Sequence, residues 1–185
     1  MEHRGTKTLE SERLLLRRFT IDDAQAMFEN WASDPEVTKF LTWQTHENAE
    51  GTKALINSWV PRYIENEYYN WVIVLKENGS VPIGNIAVPR RDDKAEWVEI
   101  GYSLGSKWWR QGIITEAVKL LLDYFFYEVG VNRVQAMYNP ANPNSGKVMQ
   151  KCGMVYEGTM RDEGWDSTGI GDRVMYGILA REYVK

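Results

Sequence analysis

One cysteine, two histidines and six prolines stand in a chain of 185 residues. The single thiol, Cys152, excludes an internal disulfide framework and suits a reducing cytoplasm, the expected compartment. His3 and His46 have no Cys, Asp or His partner at metal-ligand spacing, so no metal is expected. No apolar run approaches the roughly 20 residues that span a bilayer. The most apolar segment, Leu120 to Phe126, is interrupted by Asp123, and Met1 to Leu9 lacks the apolar core of a signal peptide. Positive charge is not in excess: the net charge of −4 excludes a global basic field for nucleic acid. No repeat, low-complexity tract or Gly/Ser linker divides the chain, so a single domain is expected. The remainder, 43% hydrophobic and 26% charged, is ordinary globular composition.

The order of elements reads β-α-α-β-β-β-α-β-α-β-β. Arg13 to Phe19 is a strand that ends at a Thr20-Ile21-Asp22-Asp23 helix start. A helix over Asp22 to Ala32 stops near Ser33-Asp34-Pro35, because proline disfavours helix at the residue before it. Glu47 to Glu65 carries Ala54, Leu55, Trp59 and Tyr63 at helical spacing, with Pro61 dividing it. Trp71 to Leu75, Pro82 to Val88 and Ala95 to Leu104 form an antiparallel meander. Its turns are Glu77-Asn78-Gly79-Ser80 and Arg90-Arg91-Asp92-Asp93. A helix from Gly112 to Val129 is apolar at Ile114, Val118, Leu121, Leu122 and Phe125, and crosses over to a strand at Val131 to Tyr138. Asn142 as N-cap, Pro143 at N1 and Gly153 just past the end bound a short helix. Met154 to Met160 and Arg173 to Leu179 are the last strands, flanking a loop rich in Gly, Asp and Trp. The fold class is α+β, or mixed α/β, with helices on both faces of one mostly antiparallel sheet and one parallel pair.

The junction between Glu99-Ile100-Gly101-Tyr102-Ser103-Leu104 and the helix carries the strongest chemical signal. A strand feeding a helix through Trp108-Trp109-Arg110-Gln111-Gly112 leaves backbone N–H groups unpaired, with the positive end of the helix dipole behind them. Such a turn binds phosphate. Arg110 adds charge, and Gly112 admits an anion close to the backbone. The turn has neither GxGxxG nor GxxxxGK[ST], so a Rossmann or P-loop reading lacks its glycines and lysine. A pyrophosphate-bearing cofactor is the expectation.

In order and spacing, several segments together resemble the GNAT superfamily of acyl-CoA-dependent N-acetyltransferases. They are Glu12-Arg13-Leu14-Leu15-Leu16-Arg17, Asp34-Pro35-Glu36-Val37, Glu99-Ile100-Gly101-Tyr102, Trp109-Arg110-Gln111-Gly112 through Thr115-Glu116-Ala117, Asn132-Arg133-Val134, and Asn142-x-x-Ser145 ending at Cys152-Gly153-Met154. More narrowly the chain resembles the branch of the RimJ and RimL ribosomal-protein N-terminal acetyltransferases, over about Glu10 to Tyr183. The resemblance implies acetyl-CoA as co-substrate. Its pyrophosphate falls on the backbone of Arg110, Gln111, Gly112, Ile113 and Ile114 and on the Thr115 hydroxyl, and its pantetheine arm pairs with Tyr102, Ser103 and Leu104. The sequence departs from many relatives in having Trp109 where they carry Gln or Arg, and Ile114 where they carry a small residue.

Acetyl transfer needs a neutral amine, a stabilised oxyanion and a proton for the departing thiolate. The resemblance places Glu99 as the base, acting through a water, and Ser145 as the proton donor, since Met149 stands where many relatives have tyrosine. Asn142 then binds the cofactor. The competing structural readings are a solvated or arginine-paired Glu99, a Ser145 that merely supports its helix turn, and an Asn142 that only caps. Trp31, Trp43, Trp71, Tyr138 and Trp165 are candidates for the acceptor pocket, with two of the five expected to touch substrate. Asp162, Glu163, Asp166 and Asp172 are placed to attract an amine, although turn chemistry explains Asp there equally well. The acceptor is a primary amine: a ribosomal or other protein N-terminus by resemblance, or a small cationic amine. A non-catalytic acyl-CoA sensor and a nucleotide-binding protein are the other readings. A homodimer is compatible with the family, but no residue requires one.

Overall fold

The computed structural model describes residues 1–79 and 81–184. Strands β1 (Leu9–Glu10), β2 (Leu14–Arg17), β3 (Asn70–Leu75), β4 (Pro82–Asp92), β5 (Trp97–Leu104), β6 (Arg133–Tyr138), β7 (Val155–Asp166) and β8 (Gly169–Leu179) make one sheet in the order β1-β2-β3-β4-β5-β6-β8-β7. Only the β5–β6 pair is parallel among the described strands. Helices α1 (Ala24–Met27), α2 (Pro35–Thr38) and α3 (Ala49–Trp59) precede β3; α4 (Ile113–Asp123) joins β5 to β6, and α5 (Pro143–Lys151) joins β6 to β7. Two apolar cores flank the sheet. Trp71, Ile73, Val98, Val118, Leu122 and Phe125 belong to the one under α4 and α5, and Phe19, Met27, Trp31, Ile56 and Val72 to the one under α1 and α3.

The first helical stretch runs as a 3-10 turn over Ile21–Asp23, α1 and a π turn over Phe28–Ala32, and stops before the extended Asp34, as expected. Beyond that stop the Asp34 side chain accepts Glu36 N–H at 2.9 Å and Pro35 opens α2, a further short helix that the expected order did not contain. Pro61 divides the second helical region as expected, into α3 and a 3-10 turn over Val60–Ile64, but Ala54 faces solvent while Thr52 and Ile56 are buried. Strand β4 runs on through Arg90 and Arg91 to Asp92, so the expected turn there begins only at Asp93. Gly79 turns left-handed (φ 67°) after β3, while Ser80 of the same expected turn lies outside the described residues. The expected Gly/Asp/Trp loop over Gly164–Gly169 is mostly strand, with Ser167 and Thr168 as the only turn residues between β7 and β8.

A defect in the sheet makes the site. Pairing of β4 with β5 shifts between Ala87 and Arg90, so Val88 and Pro89 face one residue of β5. Proline has no N–H for the ladder, and such a bulge bends the strand. Across the sheet, β5 pairs with β6 at Trp97, Val98 and Glu99 only. Beyond Glu99 the two strands part, and Ile100 to Leu104 face an open wedge.

Candidate active site

The wedge opens into a cleft of about 950 Å³. Its walls are the far end of β5, the turn before α4, the first turns of α4 and α5, the end of β6, the lip over Glu36–Thr42, and Glu163–Trp165 of β7. The turn is held by its own side chains. Trp109 Nε1 donates to the Leu104 carbonyl at 2.8 Å, so this departure from the family pattern fastens the turn to the strand. Gln111 Nε2 donates to the Lys107 carbonyl at 3.1 Å, and Arg13 Nη1 donates to the Gln111 carbonyl at 3.3 Å. Arg13 also pairs with Glu116 through Nε at 2.9 Å. Burial opposes ionisation of Glu116, but bonds from Ser11 and Arg13 outweigh it and hold its pKa below the usual range.

Arg110 (φ 63°) and Gly112 (φ 77°) are both left-handed, and Gly112 is the N-cap of α4. The first helical bond is Glu116 N–H to the Gly112 carbonyl at 3.0 Å. The N–H groups from Arg110 to Thr115 therefore have no backbone acceptor among the described residues. Nothing crowds this end of the helix: a Cβ at Gly112 would meet only Arg13 Nη2, at 3.8 Å. Unpaired donors, helix dipole and an open strand edge together fit a pyrophosphate followed by an amide-bearing arm. Tyr102, Leu104, Trp109, Arg110, Gly112, Ile113, Ile114, Thr115, Asn142 and Ser145 all line the cleft, and Ser103 does so with its hydroxyl donated to Asn85.

Glu99 sits on the last paired rung before the wedge and is 6% exposed. It is arginine-paired: Arg90 donates to both of its oxygens, at 3.0 and 2.7 Å, and Gln135 adds a bond at 3.1 Å. Ser145 Oγ donates to Tyr102 Oη at 3.0 Å, and Tyr102 Oη donates to the Ser145 carbonyl at 3.0 Å. Burial pushes the Tyr102 phenol well above its ordinary pKa. Asn142 stands at the N-cap position of α5, but its side chain makes no capping bond; only its carbonyl accepts, from Ser145 N–H at 3.1 Å.

Of the aromatic candidates, Tyr138 and Trp165 line the cleft. Trp31 and Trp71 do not: both are 0% exposed, packed in the two cores. Their rings supply buried area rather than a pocket wall. Trp43 packs against His46 outside the cleft, ring centroids 5.2 Å apart. The carboxylates near the last hairpin are largely spent. Asp166 is buried on Arg173 at 3.0 Å and on Asn139 at 2.9 Å, Glu163 reaches Arg90 at 3.5 Å, and Asp172 accepts Asp162 N–H at 3.1 Å. The sequence reading had no place for Arg90, Gln135 or Asn85, nor for the phenol of Tyr102 as Ser145's partner. Strand register alone brings those groups together.

A model of the acetyltransferase (GNAT) domain matches residues 13–155. An uncharacterized N-acetyltransferase, p20, from Bacillus licheniformis is 33% identical over 177 residues, covering 96% of this chain and 98% of that one. The ribosomal protein uS5-alanine N-acetyltransferase of Escherichia coli is 33% identical over 63 residues, or 34% of this chain and 32% of its own. The crystal structure of a GNAT-family acetyltransferase from Bacillus anthracis superposes with a TM-score of 0.81 at 27% identity, covering 95% of this chain and 99% of that one. An unpaired anion turn, a strand wedge beside it and this breadth of likeness lead to one assignment: the chain belongs to the GNAT family of acetyltransferases and is an acyltransferase.

Proposed function

We propose that the protein transfers the acetyl group of acetyl-CoA to a primary α-amine, by direct attack in a ternary complex. The observation that carries this reading is the wedge itself, with unpaired N–H groups at its mouth and Glu99 at its apex. In this reading the N–H groups of Arg110 to Thr115 take the pyrophosphate, and the free edge of Tyr102 to Leu104 takes the pantetheine amides. The thioester then lies where β5 and β6 part.

Glu99 faces the acceptor half of the cleft, with Arg90 and Gln135 fixing its oxygens. One water between carboxylate and amine is enough for an α-amine, because its pKa near ~8 leaves it partly neutral at physiological pH. A lysine side chain, near ~10.4, asks more of the base. Ser145, at the first turn of α5, rotates from Tyr102 to hydrogen-bond the departing sulfur, and Asn142 contacts the cofactor from the same turn. Phe40, Leu41, Met137 and Trp165 give the acceptor half an apolar wall, while Glu99 and Glu163 share Arg90 and Asp166 is spent on Arg173. That balance favours a single amine on an apolar neighbour, such as a protein N-terminus, over a polycation, which needs unspent carboxylates. The ribosomal-protein activity of the uS5-alanine relative agrees with this acceptor class.

The test is a mass-spectrometric transfer assay with acetyl-CoA and three acceptors: a peptide with a free N-terminus, the same peptide N-blocked with an internal lysine, and spermidine. Transfer confined to the free N-terminus supports the reading. Faster transfer to spermidine or lysine contradicts it.

A further inference from the structure

Two tyrosines reach the first turn of α5 from opposite arms of the wedge. Tyr102 comes from β5, and both roles of its hydroxyl are taken by Ser145. Tyr138 comes from the end of β6, where Val134 and Ala136 share its face and lie in the core. Its Oη lies 2.6 Å from the place a Cβ on Gly146 would occupy, so the phenol rests on the one helix position that has no side chain. Unlike Tyr102, Tyr138 has a hydroxyl with no hydrogen-bond partner among the described residues, and the residue lines the cleft.

Resting on the acetyl-transfer reading, we propose that Tyr138 is the catalytic acid that protonates the departing CoA thiolate, while Ser145 supplies a second hydrogen bond to the same sulfur. A serine that gave up its proton would be left as an alkoxide, far more basic than a thiolate. Its only hydroxyl partner among the described residues, Tyr102, is held protonated by burial. A phenol is a far stronger acid than a serine hydroxyl and so lies much closer to a thiol in acidity. Burial, and after it the neighbouring Tyr176 and Tyr156, raise Tyr138 and keep it protonated at neutral pH. The titratable groups around it are Tyr176 on β8, with rings 6.1 Å away, Tyr156 on β7 and Tyr102 on β5, and Lys147 of α5 lines the same cleft.

The carbon–sulfur bond of the tetrahedral adduct breaks and its electron pair leaves on sulfur. Tyr138 O–H passes its proton to that sulfur, giving the CoA thiol. The tyrosinate regains a proton from water in the open cleft, and the proton lost by the amine leaves on the other face, through water at Glu99.

The experiment needs no acceptor. CoA bound to the wild type, to Tyr138→Phe and to Ser145→Ala is titrated with pH and followed by thiolate ultraviolet absorbance. Each acetyl-CoA complex serves as the blank that removes tyrosinate absorbance. Phe keeps the ring on Gly146 while deleting the hydroxyl. The bound thiol is expected to become about tenfold less ionised near its midpoint in Tyr138→Phe, one pKa unit, and to change less in Ser145→Ala. Fluorotyrosine at 138, a more acidic phenol, is expected to shift the thiol the other way. An unmoved thiol in Tyr138→Phe, or a shift confined to Ser145→Ala, overturns the proposal. If Tyr138→Phe does not hold CoA, the fluorotyrosine protein decides by the same readout. Failure of the wild type itself to bind CoA overturns the acetyl-transfer reading instead, and this inference with it.

Discussion

Arg90 and Glu99 are joined by two hydrogen bonds, at 3.0 and 2.7 Å, on the rung of β4 and β5 immediately after the Pro89 bulge. The bulge that opens the wedge thus also delivers the arginine that fixes the carboxylate at its apex. Replacing Glu99 by Gln keeps the shape and leaves the rung in place while removing the base. We expect kcat to fall roughly 10²-fold with the KM for acetyl-CoA unchanged, read by steady-state kinetics on the N-terminal peptide. A loss confined to KM for acetyl-CoA would place Glu99 in cofactor binding instead.

Gly112 holds φ at 77° as N-cap of α4, a conformation that costs an L-residue roughly 1–2 kcal/mol. Gly112→Ala is expected to lower the thermal midpoint by several degrees and to weaken acetyl-CoA binding, because relaxing the turn re-aims the N–H groups. Calorimetric melting and titration check the two effects separately.

Asp166 and Arg173 pair across the β7–β8 hairpin, and Asn139, just past β6, bonds the same carboxylate, with Asp166 1% exposed. Burial opposes ionisation of Asp166, yet bonds from Asn139 and Thr168 and the charge of Arg173 prevail and hold its pKa below the ordinary value. A depressed folded-state pKa gives stability that is full above the unfolded carboxylate range and is lost as pH falls through the folded value. Arg173→Met leaves that carboxylate without its charge partner. Urea melts should show a loss of about 3 kcal/mol at neutral pH, shrinking toward acid pH as the carboxylate is protonated. A cost independent of pH would contradict the pairing.

Cys152 is 5% exposed and its Sγ lies 3.6 Å from the Thr115 carbonyl, between α4 and α5. Burial pushes its thiol up to about 12. The native protein should therefore resist a disulfide reagent at neutral pH and react fully in urea. Prompt reaction in the native state would mean that the α4–α5 contact opens.

How far the sequence reading reached depends on where local pattern and tertiary contact agree. The strand up to Leu104, the Trp108–Gly112 turn and the apolar helix positions Ile114, Val118, Leu121 and Leu122 follow one another in one continuous stretch, and the cofactor half of the cleft is legible there. The β7–β8 hairpin is not. Gly164, Asp166 and Gly169 have loop composition, but pairing along β8 and burial of Asp166 on Arg173 override it. Asp34-Pro35 does stop the first helix, because the residue before proline avoids helix, but the same pair also starts α2, a single turn too short to show a helical period. Trp31 and Trp71 were assigned by residue type to a pocket that their burial excludes. The meeting of Tyr102 with Ser145, and of Tyr138 with Gly146, joins three elements through packing, and no local pattern in the chain encodes it.

The wedge as an acetyl-CoA site is the central claim, and isothermal titration of the full chain with acetyl-CoA, with ATP as the control ligand, tests it most directly. The account predicts saturable micromolar binding of acetyl-CoA and none of ATP at the same concentration. Folded protein that binds ATP as tightly, or that does not bind acetyl-CoA, would contradict it.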